Sequence, residues 1–380
     1  MSALYIHIPF CKQACHYCNF HFSTSLKYKG QMLEAISKEL LLQKDYLQGA
    51  ELQSVYFGGG TPSLLSAAEI NQLWSIIETH YPLGQNMEVT LEANPDDMCL
   101  DKLRSYKLHT PINRLSIGLQ SFLPEELSYM NRAHSAEEAE NCLANALAVG
   151  FNQLSVDLIY GGPFLSDEDW RKTIRKLFAF QVPHLSAYAL TLEPNTPLEH
   201  LIRRKKLPTL DEDKAARHFE ILLEECQLHN YEQYEISNFC RNEQYAQHNS
   251  AYWKSRPYLG IGPSAHSFNG HSRQWNIAHN MKYIKALESN ELLFEIEELS
   301  PIEQFNELLM TRLRTKWGLS LLEVEQRWGT ATKTQLLQTI QPFIQDDLAQ
   351  LQNEHVYLSN AGKLLSDHII AELFLEDSPA

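Results

Sequence analysis

The sequence lacks several features that would assign it to other classes of protein. It has no uninterrupted run of about 20 apolar residues, the length that a membrane-spanning helix needs. Its N-terminus has neither the basic start nor the apolar run of a signal peptide. Basic residues are scarce, because 32 Lys and Arg stand against 47 Asp and Glu, a net charge of −15. This balance argues against broad nucleic-acid binding. We therefore expect a soluble, cytoplasmic protein that is not integral to the membrane and does not bind nucleic acid.

What the sequence does contain is typical of a globular protein. Of its 380 residues, 44% are hydrophobic and 10% are aromatic, which is enough for a sizeable core. Cysteines number seven, and three of them fall within eight positions near the N-terminus. In a cytoplasmic protein, such clustering favours metal ligation over disulfide bonds.

Short apolar or alternating segments recur along the first half of the chain, and segments with helical periodicity separate them. The predicted strands are Leu4–Ile8, Ser54–Phe57, Glu88–Glu92, Asn113–Leu119, Gln153–Ile159 and His184–Leu190. The predicted helices include Met32–Leu47, Ala67–Thr79, Ala136–Val149 and Asp167–Phe180. Such repeats predict parallel strands with helical crossovers, and six strands are too few for a closed eight-stranded barrel. We predict an α/β fold, a partial open barrel with its chemistry at the C-terminal strand ends.

The chain divides into a barrel over residues 1–230, a connecting region over residues 231–299 and a C-terminal domain over residues 300–380. The predicted elements of the last part are helices at Gln304–Arg314, Ser320–Arg327 and Thr334–Asp347, a strand–turn–strand with Asn360–Gly362 at its turn, and a final helix. This order is typical of a small winged-helix-like domain. Residues 301–380 hold 6 basic and 11 acidic residues, so we predict a packing or partner module rather than a DNA-binding one.

Cys11, Cys15 and Cys18 follow directly on the first predicted strand. Three thiolates on one tight loop can each hold one iron of a [4Fe–4S] cluster, which leaves the fourth iron open to an outside chelator. Zinc is the competing metal, but structural zinc sites usually pair two Cys-x2-Cys segments, and the chain has no second one. The spacing therefore favours a [4Fe–4S] cluster.

The spacing CxxxCxxC resembles the signature of the radical S-adenosylmethionine (SAM) superfamily. In that superfamily the cysteines follow the first strand of a partial (β/α)6 barrel, and SAM chelates the open iron through its amino and carboxylate groups. The resemblance implies the same fold here, with a [4Fe–4S] cluster and SAM as cofactors. Residues Gly58–Pro62, which read GGGTP, resemble the glycine-rich motif whose backbone receives the SAM amino group.

Further segments resemble the coproporphyrinogen III dehydrogenase branch of the superfamily, and the resemblance covers essentially the whole chain. The segments are Tyr5–Cys11, Gly58–Ser63, Leu91–Pro95, Ile117–Ser121, Asn131–His134 and Ser155–Pro163. The resemblance implies SAM contacts at Tyr5, Gly59, Gly60, Thr61, Glu92, Gln120, Arg132 and Asp157. Carboxylates can take the ribose hydroxyls or the amino group, and Arg132 can clamp the SAM carboxylate. Taken alone, Glu92 and Asp157 are more often strand-end caps, and Arg132 is more often part of a surface ion pair. Together, at successive strand ends, they favour a ligand site.

The chain departs from the dehydrogenases in two ways. They carry a further cysteine where this sequence has Phe20, and an N-terminal extension where this chain begins almost at its first strand. Both departures disfavour decarboxylation of coproporphyrinogen. His248–Trp253 has the pattern HNxxYW and, together with CxxxCxxCxF, resembles the HemW family of haem chaperones instead. That family binds haem and passes it to acceptor proteins.

The HemW resemblance implies haem as a third cofactor, His248 as the ligand of its iron, and haem-requiring acceptors such as respiratory proteins as partners. Imidazole is a common axial ligand, and aromatic neighbours offer flat faces to a macrocycle. A histidine beside aromatic residues is also a common core arrangement, and His266 is a rival ligand. Cys240 matters only for covalent attachment, for which the chain has no CxxCH motif. We therefore predict a haem chaperone, with oxygen-independent coproporphyrinogen III dehydrogenase activity as the alternative.

Overall fold

The computed structural model describes residues 2–376, so Met1 and residues 377–380 of the predicted C-terminal domain lie outside it. Six parallel strands, each paired with the next in chain order, form the centre of the fold. They are β1 (Ser2–Ile8), β2 (Leu52–Gly59), β3 (Leu83–Ala93), β4 (Arg114–Gln120), β5 (Gln153–Tyr160) and β6 (His184–Ala189). Each contains or closely overlaps one predicted strand.

Helices connect these strands and cover one face of the sheet. They are α1 (Lys29–Leu42), α2 (Ala67–His80), α3 (Leu100–His109), α4 (Pro124–Tyr129), α5 (Ala136–Val149) and α6 (Asp167–Ala179). Local signals in the sequence explain the ends of α2 and α5. Ser66 and Ser135 begin these helices with capping boxes, in which each serine side chain accepts a backbone N–H three residues further on. Helix α5 ends at Gly150, whose φ of 92° suits glycine.

Helices α7 (Pro197–Arg203) and α8 (Glu212–Leu228) follow β6 and belong to residues 1–230. The connecting region, residues 231–299, adds short strands to both ends of the sheet. Its elements are β7 (Glu232–Gln233), β8 (Asn238–Cys240), α9 (Gln247–Trp253), β9 (Tyr258–Ile261), β10 (His266–Phe268), β11 (Ser272–Asn276), α10 (Asn280–Glu288) and β12 (Phe294–Glu298). Within the described residues, twelve strands form one sheet in the order β12-β11-β10-β9-β1-β2-β3-β4-β5-β6-β8-β7. The first and last strands of this order do not pair, which confirms the predicted open, partial barrel.

Helix α9 lies on the face of the sheet opposite to the crossover helices. Alternate residues of β2 point to opposite faces, so Val55 and Phe57 join the apolar core with the helices, whereas Ser54 and Tyr56 face inward. The His248 side chain of α9 bonds to Ser54 and stacks on Tyr56. The inner face of the barrel is therefore polar and aromatic, and α9 fills part of it.

The C-terminal part has its own apolar core, which includes Phe305, Leu309, Leu336 and Ile370. Its elements are α11 (Pro301–Arg312), β13 (Leu319–Ser320), α12 (Leu321–Gln345), β14 (Ala349–Gln352), β15 (His355–Leu358), α13 (Asn360–Leu364) and α14 (Ser366–Glu372). Gly329, with φ 89° and ψ 167°, interrupts α12 between the two helices predicted for this segment. None of the helices in residues 2–376 is both long and apolar enough to cross a lipid bilayer.

The predicted turn at Asn360–Gly362 is wrong. Strands β14 and β15 turn at Asn353 and Glu354, whose φ values are 49° and 57°. The predicted turn residues begin helix α13 instead, because the Ser359 side chain accepts the N–H of Gly362 at 3.0 Å. A serine N-cap thus outweighs the turn propensity of the Asn and Gly that follow it.

Candidate functional site

The three motif cysteines lie on the loop after β1, at the C-terminal edge of the barrel. All three are free and partly buried. The loop is tied to its surroundings by backbone bonds, from the Cys11 N–H to Ser23 O and from the His16 N–H to Met130 O, each 3.0 Å. Within residues 2–376, no three His, Cys, Asp or Glu side chains are arranged as a single-ion site. In a [4Fe–4S] cluster, each of the three cysteines would bind a different iron.

Arg132 lies over the cysteine loop. Its Nη1 is 3.4 Å from Cys15 Sγ and 3.4 Å from the Tyr17 hydroxyl, and its Nη2 donates to Asn94 Oδ1 at 2.5 Å and to Gly118 O at 2.7 Å. Burial raises the pKa of Cys11 to about 11, and the Arg132 charge opposes that rise. A guanidinium here therefore favours thiolates, the form in which cysteines bind iron.

The glycine-rich segment packs directly against the cysteine loop. A Cβ on Gly60 would meet the Phe10 carbonyl oxygen at 2.6 Å, and Gly59 has a φ of 106°. The Thr61 N–H donates to Phe10 O at 2.6 Å, and its hydroxyl accepts Asn94 Nδ2 at 3.1 Å. Glycine is required at both positions by close approach and by backbone conformation.

Two carboxylates face the barrel interior beside this loop. Glu92 accepts the Tyr56 hydroxyl at 2.7 Å and the Gly59 N–H at 3.1 Å, and Ser116 lies 3.5 Å from Asp157. Burial raises the pKa of Glu92 to about 7 and that of Asp157 to about 6. Both groups carry a desolvation penalty that a polar, positively charged ligand would relieve.

Two polar atoms near the cysteine loop are buried without a hydrogen-bond partner among the described residues. They are Arg132 Nε, a donor, and Gln120 Oε1, an acceptor. Gln120 has a φ of 65° at an irregularity between β4 and β5. Unpartnered buried polar atoms are rare in folded proteins and suggest a ligand. A donor and an acceptor suit the carboxylate and amino groups of SAM, so the residues present fit that cofactor.

The structure brings nine of the eleven predicted cluster and SAM residues to the C-terminal rim of strands β1–β4 or to the loops that follow the strands. Tyr5 and Asp157 lie deeper, each three residues before the end of its strand, and the Tyr5 hydroxyl is 3.1 Å from His7 Nδ1. We did not predict a role for Asn94, Tyr17 or Tyr56, although each contacts a predicted residue. Asn94 lies inside one of the segments that resemble the family, and Tyr17 lies between two of the cysteines. Their positions in these motifs could have identified both as site residues.

His248 is buried, with 1% of its surface exposed, and both of its ring nitrogens are engaged. Nδ1 is 2.9 Å from Ser54 Oγ, and Nε2 is 2.8 Å from the Tyr252 hydroxyl. Burial, assisted by the Arg114 charge, lowers the pKa of His248 to about 3, so the ring is neutral. A neutral imidazole is the ligating form, but an iron can reach Nε2 only after the Tyr252 hydroxyl has left it.

The rival ligands lie elsewhere. His266 is exposed on β10, stacked beside Trp275, with its ring centroid 6.1 Å from that of Trp275. Cys240 is fully buried in β8. Neither residue lines the cavity that lies beside α9.

A cavity of about 770 Å³ lies between the barrel, helix α9 and the C-terminal part. Its walls include four aromatic side chains and two cations: Tyr160, Tyr188, Tyr252, Trp253, Arg314 and Lys363. The volume is within the usual range for small-molecule sites. Ser186 pairs in register with Asp157, and Tyr188 follows two residues later on the same face of β6, so the cavity adjoins the rim that carries the predicted SAM contacts.

Comparisons with known proteins agree with this arrangement. Two family models match the chain, the Radical SAM superfamily over residues 5–177 and the HemN C-terminal domain over residues 299–365. The haem chaperone HemW of Mycobacterium tuberculosis is 32% identical over 375 residues, which cover 97% of this chain and 94% of that protein. The chain belongs to the HemW family. Membership of the radical SAM superfamily implies a [4Fe–4S] cluster and SAM.

The chain is also similar to proteins from other bacteria and from mouse mitochondria. HemW of Escherichia coli is 36% identical over 272 residues, 70% of this chain and 69% of that protein. The mouse mitochondrial radical S-adenosyl methionine domain-containing protein 1 is 35% identical over 351 residues, 86% of this chain and 75% of that protein. The solved structure of E. coli coproporphyrinogen III oxidase (HemN) superposes with a TM-score of 0.85 at 22% identity, covering 98% of this chain and 90% of that one. The fold is therefore shared with HemN.

Proposed function

We propose that this protein is a cytoplasmic haem chaperone that binds one haem in the cavity beside α9 and passes it to haem-requiring acceptor proteins, including respiratory ones. It carries a [4Fe–4S] cluster on Cys11, Cys15 and Cys18, with SAM at the open iron. The observation that carries the proposal is the position of the HNxxYW motif. Asn249, Tyr252 and Trp253 of this motif line the aromatic cavity.

The cavity has the chemistry that a haem requires. Flat aromatic faces suit a macrocycle, and a cation on the wall suits a propionate. The cavity has a volume of about 770 Å³ and lies between the barrel and the C-terminal part. Small-molecule sites are common between two such parts of a chain. His248 stays the predicted ligand of the iron. Its Nε2 is 2.8 Å from the hydroxyl of Tyr252, a residue that lines the cavity.

The rim residues serve the cluster and SAM. When bound, the cluster supplies an electron and SAM supplies a sulfonium that the electron can cleave. Arg132 holds the SAM carboxylate, Glu92 and Asp157 hold its ribose hydroxyls or amino group, and the glycine-rich backbone lets SAM approach closely. In this proposal, SAM and the cluster regulate the neighbouring haem cavity.

A haem titration of the anaerobically reconstituted protein tests the proposal, with the Soret band as the readout. We expect uptake of one haem per chain, weakened by His248→Ala and unaffected by the exposed-site control His266→Ala. Coproporphyrinogen turnover is assayed on the same samples. Turnover would contradict the chaperone function and support the dehydrogenase, whereas absence of haem uptake would contradict both the cavity and the motif assignment.

Delivery is tested separately from binding. The loaded protein is mixed with a haem-free respiratory haem protein, and with apomyoglobin as a passive scavenger that reports the rate of haem dissociation. We expect transfer to the respiratory protein to be faster than loss to apomyoglobin and to rise with acceptor concentration, since delivery requires contact. Equal rates with both acceptors would show simple release and contradict delivery.

A further inference from the structure

The basic residues of the C-terminal part differ in their partners. Residues 301–376 contain six, and five of them lie within 4.0 Å of a carboxylate: Arg312 and Arg327 beside Glu323, Arg314 beside Asp367, Lys316 beside Glu232, and Lys333 beside Glu325 and Glu354. The exception is Lys363. Its Nζ donates to the amide oxygen of Gln233 at 2.8 Å and forms no ion pair with a described carboxylate, although the more distant charge of Glu232 offsets part of the cost of its burial.

Lys363 is also withdrawn from water. It lies on α13, partly buried, and lines the cavity beside α9. Burial lowers its pKa, which means that its surroundings disfavour the ammonium. A buried ammonium without a carboxylate is costly, and an anionic ligand would offset that cost.

The other charges on the cavity wall are already satisfied. Arg314 is paired with Asp367 at 2.6 Å. Glu235 is 2% exposed and accepts the N–H of Ser237 at 3.1 Å and the side-chain amide of Asn238, so its carboxylate is directed at its own loop. Lys363 is therefore the wall cation that is available to a carboxylate from outside the chain.

We infer that Lys363 binds one propionate of the haem in this cavity, so that the C-terminal part recognises the ligand's carboxylate while the HNxxYW helix faces its ring. The inference rests on the proposed function. The aromatic wall formed by Tyr160, Tyr188 and Trp253 supplies the apolar contact, and Lys363 supplies the charge. Binding replaces the Lys363–Gln233 bond by a charge-assisted one, which joins the C-terminal part to the barrel through the ligand.

The test changes the lysine and the propionate together. Haem and haem dimethyl ester, in which both propionates are neutral, are titrated into the reconstituted full-length protein and into Lys363→Met, Lys363→Arg and Lys333→Met. We expect Lys363→Met to weaken haem binding by about tenfold or more, the loss of one charge-assisted hydrogen bond. Lys363→Arg keeps most of the affinity, and Lys333→Met, which removes a lysine already paired with carboxylates, keeps all of it.

The ester separates recognition of the carboxylate from a structural role. We expect it to bind wild type and Lys363→Met equally, since neither complex contains the ion pair. Equal losses of haem and ester in Lys363→Met would show that the lysine only supports the fold, and undiminished haem binding would show that it does not meet the propionate. Either result overturns the inference while leaving haem binding intact, whereas a wild-type protein that takes up no haem contradicts the proposed function itself.

Discussion

The cysteine rim and the cavity beside α9 are adjoining regions that are built in opposite ways. The rim is made of short, contiguous motifs, such as Cys11–Cys18 and Gly58–Pro62, each placed by the end of one strand. The cavity is assembled from side chains as far apart in the chain as Tyr160 and Lys363. Local sequence patterns can therefore identify the first region, whereas in the second they identify only the HNxxYW part of the wall and tertiary packing brings in the rest.

The two regions also differ in how far their polar groups are satisfied. At the rim, Arg132 Nε and Gln120 Oε1 are buried without partners among the described residues, as in a site prepared for a ligand. On α9, both nitrogens of His248 are bonded, to Ser54 and Tyr252. The rim thus has buried polar atoms without partners, whereas the haem ligation that we propose for His248 would require a hydrogen bond to break first. The following changes separate the two regions.

The largest expected effect is on the cluster. Cys15→Ser removes one of three cluster ligands, so we expect the reconstituted protein to lose its cluster iron and sulfide, measured by iron and sulfide analysis. Haem uptake should persist, because the cavity wall contains none of the three cysteines. Cys99→Ser, which alters an exposed cysteine, is the matched control. Loss of haem uptake together with the cluster would show that the two regions are one site.

Removal of the rim guanidinium comes next. We expect Arg132→Met to weaken SAM binding by about 10- to 100-fold, since a charge-assisted bond to the SAM carboxylate is lost. Equilibrium dialysis of labelled SAM on the cluster-loaded protein measures it. Arg104→Met, at an arginine whose side chain is 58% exposed, should leave SAM affinity unchanged. If Arg132→Met keeps its cluster and its SAM affinity, then the guanidinium does not clamp SAM.

A smaller effect concerns the pH dependence of stability. Burial raises the pKa of Glu92 from 4.5 to about 7, so the stability that its proton contributes is present at low pH and lost as the pH rises through 7. Glutamine has no carboxyl group to ionise, so Glu92→Gln does not lose stability in this way. Relative to wild type, we expect this variant to gain about 1 to 3 kcal/mol in free energy of unfolding between about pH 5 and pH 8.

Urea unfolding of the cofactor-free protein at several pH values measures this gain. Glu125→Gln, which removes an exposed carboxylate on α4, is the control. A difference in unfolding free energy between Glu92→Gln and wild type that does not change with pH would mean that burial does not disfavour the charged form of Glu92.

The smallest effect is expected at the bond that closes His248. Tyr252→Phe removes the hydroxyl that occupies Nε2, so we expect haem to bind about 2- to 10-fold more tightly, the value of one neutral hydrogen bond. A Soret titration reports the affinity. Tyr258→Phe is the control, because the Tyr258 ring packs edge-on against Tyr252 with centroids 4.5 Å apart. Weaker haem binding in Tyr252→Phe would indicate that Tyr252 itself contacts the haem.

Sequence alone predicted the six barrel strands and the open sheet, because apolar periodicity is a local property. The SAM contacts stay a prediction that the family resemblance implies. Sequence alone did not predict β7–β12, which are two to five residues long and depend on pairing with existing edges. It also misplaced the hairpin turn, where the Ser359 cap converts Asn360–Gly362 into a helix. Lys363 lies in none of the sequence motifs. Its role is inferred from the folded structure, in which it forms no ion pair with a described carboxylate.

The position of the haem iron is the decisive measurement. A crystal structure of haem-loaded Cys15→Ser, in which the haem supplies the only iron, would place it by anomalous scattering. We predict one iron in the cavity beside α9, with the ring against Trp253 and a propionate at Lys363. An iron on the exposed face at His266, or outside the cavity altogether, would contradict it.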